Sequence, residues 1–393
     1  MKTKSAGSPL RIGMIGLGLR ANLLDPAHRP DKGSVINALC DIDEGLLGHY
    51  RQRFPNATWS SDYRSLLADP NVDAVIVATP DYTHEEIVVA ALEAGKATFS
   101  EKPLAISIEG CDHILETAVR TGTRLYVGHN MRHFSMVAKM KSLIDEGAVG
   151  EVKAVWCRHF VGHGGDFYFK DWHAQREHVN SLLLQKGAHD IDVIHWLAGG
   201  VSRVVQGFGR LAVYGDVTDR HDGEKHGDWF APDTHWPPLA QRGLHPDIDI
   251  EDLSMIQMVL DNKVLTSYSE CHFTPDYWRN YTVIGTEGRI ENFGDVEGVI
   301  KLWNRRHGYS ADGDKSFRFR ASAGGHGGAD ERLMQEFVRY ARDGGATQTS
   351  PVGAREAVAA GCAGARSLRN GGVPVHVAPP STAITDYFAG TTV

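Results

Sequence analysis

Over its first third the chain alternates short apolar runs with stretches of helical spacing, the pattern of a parallel sheet covered by helices on both faces. The first run, Leu10 to Ile15, breaks into Gly16-Leu17-Gly18-Leu19-Arg20-Ala21, and the second, Ser34 to Cys40, ends in Asp41. Val72 to Ala78 is the clearest later strand and stops at Thr79-Pro80. Helical spacing from Thr83 to about Ala94 ends at Gly95, and Ala97 to Ser100 leads into Glu101-Lys102-Pro103. A further helix from about Ile108 to Thr121 precedes the run Arg124 to Gly128. Five strands in about 130 residues make one complete nucleotide-binding domain, residues 1–130.

Beyond Asn130-Met131-Arg132 the texture changes to longer β-rich runs with polar insertions, which predicts a second domain over residues 131–393. Val152 to Arg158, Ser254 to Val259, Lys263 to Ser269 and Asn280 to Ile284 alternate like half-buried strands. Between them lie two irregular stretches, Gly162 to Arg176 and Asp216 to Asp247, rich in Gly, Pro, His, Trp and Asp. Loops of that length are lids, binding loops or subunit contacts. Leu333 to Ala341 and Ala354 to Arg369 read as helices, the alanine-rich second one suited to tight packing, and the tail after Gly371 as extended.

Composition narrows the function. Of 393 residues, 23% are charged and 42% hydrophobic, ordinary for a soluble globular enzyme. The net charge of -8, with no dense Lys/Arg stripe, argues against nucleic acid. No apolar stretch is long enough to cross a bilayer. The opening MKTKSAGSP lacks the apolar core of a signal peptide and reads as a loose terminus. The 5 cysteines are scattered and form no CxxC, as expected of reduced thiols in a cytoplasm. Many of the 20 histidines lie between His159 and His245, which points at a site.

The glycine turn is the first candidate site. A buried strand that ends in closely spaced glycines and opens a helix presents free N–H groups to a pyrophosphate. Asp41, at the end of the second strand, stands where a carboxylate holds an adenosine ribose, and Ile42 follows with no arginine to welcome a 2′-phosphate. These features favour NAD over NADP. Lys102, just after a strand at the crevice edge, either handles the proton of a hydroxyl undergoing hydride exchange or simply pairs with Glu101. In Gln185-Lys186-Gly187-Ala188-His189-Asp190-Ile191-Asp192, continuous helical spacing puts Gln185, Lys186, His189, Asp192 and Trp196 on one arc of about 120°. That stripe is either a solvated face or an active-site wall. Lys186 at i,i+3 would depress the imidazole pKa of His189 and help keep it a neutral base. A metal site on His189, Asp192 and His195 is disfavoured, because His195 is rotated off the face and no third ligand has helical spacing.

The glycine turn, Asp41, Ala78-Thr79-Pro80, His84, Glu101-Lys102-Pro103, Asn130-Met131-Arg132 and the His189-Asp190-Ile191-Asp192 helix together resemble the glucose-fructose oxidoreductase and inositol dehydrogenase family, Gfo/Idh/MocA. Ile284 to Gly288 and Ser350-Pro351 extend the resemblance over nearly the whole chain. It implies a Rossmann domain followed by an α+β domain with an open, mostly antiparallel sheet, one face of which makes a subunit interface, hence a homo-oligomer, dimer or tetramer. It implies NAD cradled by Gly16, Gly18, Leu19, Arg20, Asp41, Ile42, Thr79, Pro80, His84, Glu101, Lys102 and Asn130. It also implies a cis Pro103 that sets the lysine's direction, and a sugar or polyol carbinol as hydride partner, with Lys102 and His189 catalytic.

Substrate contacts are expected at Arg132, Tyr168, Trp172, His173, Arg176 and Asp192, since sugars stack on aromatics and take forked hydrogen bonds. One position departs from the family. Gln185 stands where its dehydrogenases carry Asp and cannot accept a proton, so Lys186 or His189 must take more of the work. Some relatives use the same hydride exchange without net oxidation, as NAD-dependent glycosidases that oxidise, eliminate, add water and re-reduce, including those acting on sulfoquinovosides. An anionic glycoside of that kind would suit the cationic Lys170, His173, Arg176 and His178 of the first insertion. Other relatives bind the dinucleotide as regulators without turnover, a role that would not need Lys102 and His189.

Overall fold

The computed structural model describes residues 8–221 and 235–390. Residues 222–234 of the second irregular stretch, and most of the opening MKTKSAGSP, lie outside the described residues.

The apolar runs of the first third form a six-stranded parallel sheet: β1 (Leu10–Ile15), β2 (Ser34–Cys40), β3 (Thr58–Ser60), β4 (Ala74–Val77), β5 (Ala97–Ser100) and β6 (Leu125–Val127). Their order, β3-β2-β1-β4-β5-β6, reverses beside β1 and opens a crevice at the carboxyl ends of β1 and β4. The three-residue β3 was not among the five expected strands, because its half-exposed Trp59 makes no apolar run. Helix starts follow local chemistry: the side chains of Asp43, Asp62 and Ser107 each accept a backbone N–H of the first helical turn.

This unit is not one stretch of sequence. It comprises the chain up to His133, Ser322–Arg355 and the segment from Pro380. The single boundary expected at residue 130 therefore marks only the first crossing. The helix Ala329–Asp343 carries an apolar stripe of Leu333, Met334, Phe337, Val338 and Ala341 that joins Ile12, Met14, Ile76, Phe99 and Tyr126 in one buried cluster. Phe337 meets Phe99 edge to face at 5.4 Å. Without that stripe one side of the sheet would lie open, which is why the chain returns.

The second unit, Phe134–Ala321 with Glu356–Pro379, is built on a nine-stranded sheet. Its strands are β7 (Val152–Val161), β8 (Ser202–Arg210), β9 (Leu253–Leu260), β10 (Leu265–Cys271), β11 (Tyr277–Gly285), β12 (Arg289–Phe293), β13 (Glu297–Trp303), β14 (Lys315–Arg320) and β15 (Val375–His376). All neighbours pair antiparallel except β7 with β10. The helix Gly187–Ala198 packs on β7 and β10. The other sheet face leaves Trp156, Phe208, Met255, Val259 and Leu265 exposed. The alanines of the helix Pro351–Arg369 are buried, as the tight packing of small side chains requires. The tail is not simply extended: after β15 the helix Thr382–Phe388 buries Ile384 and Phe388 in the first unit.

Candidate active site

At the end of β1 the backbone turns at Gly16 with φ +90°, and a Cβ there would stand 2.5 Å from the Ala78 carbonyl oxygen. Only glycine fits so close an approach. At Gly18 a Cβ would meet nothing within 4 Å, so the turn faces open space. The Asp41 carboxylate accepts the Leu17 N–H at 2.6 Å and the Asp43 N–H at 2.8 Å, which fixes it beside the turn. Leu19 and Ile42 are 80% and 89% exposed, an apolar pair left in water beside that opening. Backbone room, a fixed carboxylate and uncovered apolar side chains fit the adenosine half of a dinucleotide.

Other expected cofactor residues turn inward. His84 is fully buried, with Nδ1 2.7 Å from the Pro103 carbonyl and Nε2 3.0 Å from that of Thr79. It ties the turn at Thr79-Pro80 to the turn at Pro103, and both ring nitrogens are spent there, so it does not cradle the cofactor directly. The Thr79 hydroxyl accepts that of Thr83 at 2.7 Å, fixing the turn that carries Pro80. Arg20 does not stand free before a pyrophosphate: its guanidinium donates to Glu101 at 2.6 Å and to Asp330 at 3.0 and 3.2 Å. Asn130 likewise donates to Asp330 at 3.0 Å, and Arg132 to the Gln348 carbonyl at 2.8 Å. Lys102 is half-buried, its backbone N–H bonded to Glu101 at 3.0 Å, and the Lys102–Pro103 peptide is cis.

In the second unit the expected continuous helix is broken. Leu182–Gln185 and Gly187–Ala198 are separate helices with Lys186 between them. Gly187 passes the ring of Tyr268 so closely that a Cβ would lie 2.9 Å from it. Gln185 and Lys186 therefore do not continue the helical face of His189. Nor is the polar stripe solvated: Gln185, His189, Asp190, Asp192 and His195 are all buried. Trp196 leaves the stripe for Lys141, and His195 Nε2 lies 2.8 Å from the Ser202 hydroxyl.

Lys186 lies over the rings of Tyr168 and Tyr277, at 5.6 and 5.8 Å, and pairs with the Tyr277 hydroxyl. Burial pulls its proton affinity below that of an ordinary lysine, partly offset by Tyr277. The imidazole that Lys186 helps depress is that of His159, which burial, then Arg279, push down to about 3.

Sequence reasoning missed what holds this region together. Asp190, fully buried, takes His159 Nδ1 at 2.9 Å, Arg279 Nε at 3.1 Å, the hydroxyl of Tyr281, and Cys157 Sγ at 3.9 Å. The Tyr268 hydroxyl lies 3.1 Å from Asp190 and 3.0 Å from Glu270. Burial alone would raise the Asp190 pKa, but Arg279 and His159 hold it well below the usual carboxylate range. The signal was the inward alternation of Tyr268 and Glu270 on β10 and of Arg279 and Tyr281 on β11.

The first insertion is not a free cationic surface. Lys170 lies 3.9 Å from Asp166, His173 2.6 Å from Asp171, Arg176 3.2 Å from Glu251 and His178 3.7 Å from Glu177. This removes the argument for an anionic substrate, since each cation already has its carboxylate. Trp172 stacks on His173 at 3.7 Å, and Tyr168 meets His173 and His272 edge to face.

A doubly wound domain with a fitted dinucleotide turn, followed by an open sheet carrying buried ionisable groups, is the build of a dinucleotide-dependent oxidoreductase. The chain belongs to the GFO_IDH_MocA oxidoreductase family: its NAD-binding Rossmann fold matches residues 10–129 and its C-terminal alpha/beta domain residues 141–377. It is 31% identical over 218 residues to the inositol 2-dehydrogenase/D-chiro-inositol 3-dehydrogenase of Lactiplantibacillus plantarum, covering 54% of this chain and 57% of that one. It is also 31% identical over 194 residues to the 1-carboxy-3-chloro-3,4-dihydroxycyclohexa-1,5-diene dehydrogenase of Comamonas testosteroni, covering 49% of this chain and 48% of that one. The chain thus spans about half the length of these curated relatives. Among solved structures, levoglucosan dehydrogenase in complex with NADH and levoglucosan shares the fold, with TM-score 0.76 and 21% identity over 94% of this chain and 100% of that one.

Proposed function

We propose that the protein exchanges hydride between NAD and a secondary ring hydroxyl of a pyranose sugar or glycoside, with Lys102 and His189 handling the proton. The observation that carries this reading is the fixing of Lys102 at the end of β5, where Glu101 holds its backbone in a unit with a fitted dinucleotide turn. NAD, when bound, accepts the hydride from the carbinol carbon. Gly16 and Gly18 admit its phosphates, Asp41 takes the ribose hydroxyls, and Leu19 and Ile42 cover the base. Lys102 Nζ donates to the substrate oxygen as negative charge develops there, and a ring nitrogen of His189 takes the hydroxyl proton. Gln185 cannot accept a proton, so Lys186, with its depressed proton affinity, is the nearest exchanging group that precedes His189 in sequence.

A second reading, redox-neutral glycoside hydrolysis, is favoured by that same substitution. An amide at 185 with a half-buried lysine beside it suits abstraction of a C–H proton next to the oxidised carbon, followed by loss of the aglycone. The exposed apolar face of β7 to β10 supports self-association, and five free cysteines support a reducing compartment.

Incubation with a panel of sugars and synthetic glycosides plus NAD, following NADH absorbance and aglycone release together, tests both. NADH accumulating with substrate consumed supports the dehydrogenase. Aglycone released only with NAD present, and without net NADH, supports the glycosidase. Lys102→Met and His189→Ala should each lower turnover about 10²–10⁴-fold while NADH binding is retained. Undiminished turnover would remove the role assigned to that residue.

A further inference from the structure

We infer that Asp330 is a positioning residue for Lys102, acting through Arg20 and Glu101. The inference rests on the role proposed for Lys102. All four residues belong to the first unit, although Asp330 follows Arg20 by 310 positions.

The chain of contacts is continuous. Asp330 Oδ2 accepts from Arg20 Nη1 at 3.0 Å and Oδ1 from Arg20 Nη2 at 3.2 Å, a forked pair. The remaining guanidinium nitrogen, Nε, donates to Glu101 Oε1 at 2.6 Å. Glu101 Oε2 accepts the Lys102 N–H at 3.0 Å, and the Glu101 N–H is itself fixed on the Val77 carbonyl at 2.9 Å. Each link leaves its neighbour one orientation.

Asp330 is suited to anchor the chain. It is the second residue of the helix Ala329–Asp343, where a carboxylate is favoured, and it is buried. Asn22 and Asn130 donate to it at 3.0 Å each, and His326 Nδ1 at 2.7 Å. Burial alone would raise its pKa, but the bonds from His326 and Arg20 hold it far below the carboxylate range. The loop that delivers it, Gly324 to Gly328, has φ of +112°, +47°, +65° and +76° at Gly324, His326, Gly327 and Gly328, a reversal that four glycines and one histidine make possible. Two buried carboxylates hold one guanidinium. Removal of one lets Arg20 turn, loosens Glu101, and leaves unbalanced positive charge near Lys102.

Asp330→Asn keeps the shape and removes the charge. With the sugar identified by the panel above, its kcat should fall about 10- to 100-fold, with sugar KM and NADH Kd within about threefold of wild type. Loss of a negative charge lowers a neighbouring lysine's proton affinity, so the Lys102 limb of the kcat–pH profile should move to lower pH. The same shift should appear without substrate, as the pH dependence of Lys102 acetylation by acetic anhydride read by mass spectrometry. Asp330→Glu should recover part of kcat. Should Asp330→Asn fail to fold, Arg20→Lys breaks the same chain from the other side at unchanged charge: kcat should fall over the same range with the acetylation profile unmoved, and an undiminished kcat would overturn the inference.

A lowered melting temperature with an unmoved pH limb and acetylation profile would make Asp330 merely structural and overturn the inference. A weakened NADH Kd with unchanged kcat would overturn it too, by making Asp330 a cofactor anchor. Lys102→Met separates the two readings: if it leaves turnover intact, the role of Lys102 falls, whereas if it abolishes turnover while Asp330→Asn is normal, only the inference falls.

Discussion

In each unit a buried carboxylate gathers several side-chain donors, Asp330 in the first and Asp190 in the second, and the donors differ in kind. Asp330 in the first unit is met by a guanidinium, two amides and an imidazole, and its partners lead through Glu101 to the backbone of Lys102. Asp190 in the second is met by Arg279 and His159 and then by tyrosine hydroxyls and a thiol, all enclosed. Phenols and thiols bring hydrogen bonds with large apolar surface, so a charge can sit within a sheet–helix core without opening it to water. Amides and a half-exposed imidazole bring little apolar surface and suit a loop beside a binding crevice. The same residue type thus serves as a core fastener in one unit and as an anchor at the edge of a site in the other.

The comparison can be broken most sharply at Asp190. Asp190→Asn leaves Arg279 buried with its nearest carboxylate gone, and should cost about 3–5 kcal/mol, read as lost melting temperature. A variant that kept its stability but lost turnover would move Asp190 into the site and erase the contrast. Next is the acid limb. Burial, then Arg279, push His159 down to about 3 in the fold, against 6.5 for an unperturbed imidazole. Between those values the unfolded chain binds a proton that the native one refuses, so stability present above about pH 6.5 is lost as pH falls through the window, at about 1.4 kcal/mol per unit. Asp190, also depressed, adds loss of the same sign below the ordinary carboxylate range. Melting curves from pH 7.5 to 4 should show the decline, and His159→Gln should flatten it; an equal slope in both would detach His159 from the effect. The smallest change is expected at Asp41. Asp41→Ala should raise the NADH Kd about tenfold, ~1.4 kcal/mol, with little change in melting temperature. Unchanged affinity would sink its assignment to the ribose.

The two units were not equally legible in the sequence. In the first, most buried strands are short, largely apolar runs and several turns carry a glycine or proline, so five of six strands and the dinucleotide turn are legible. Asp330 was not, because nothing within a few residues of Ala329 marks its partner at Arg20. In the second unit the strands read clearly where alternation was apolar, as in β9, and poorly in Lys315–Arg320, whose charges hide the pattern. The motif His189-Asp190-Ile191-Asp192 drew attention to the right helix but to its first and last residues. Asp190 acquires its importance from β10 and β11, which no local spacing reports. Lys186 and Gln185 leave the expected face because the spacing reads as one helix, whereas the structure interrupts it at Lys186.

The return of the chain to its first unit bears on synthesis. The N-terminal sheet leaves the ribosome without the stripe of Leu333, Met334, Phe337 and Val338, and the whole sequence from Phe134 to Ala321 must follow before that stripe appears. At ~5–20 residues per second the delay is about 10–40 s. During it, Ile12, Met14, Ile76 and Phe99 present an apolar surface to water that a late helix covers. A ribosome-bound chain arrested near residue 321 should therefore recruit holdase chaperones that release it once residue 343 has emerged.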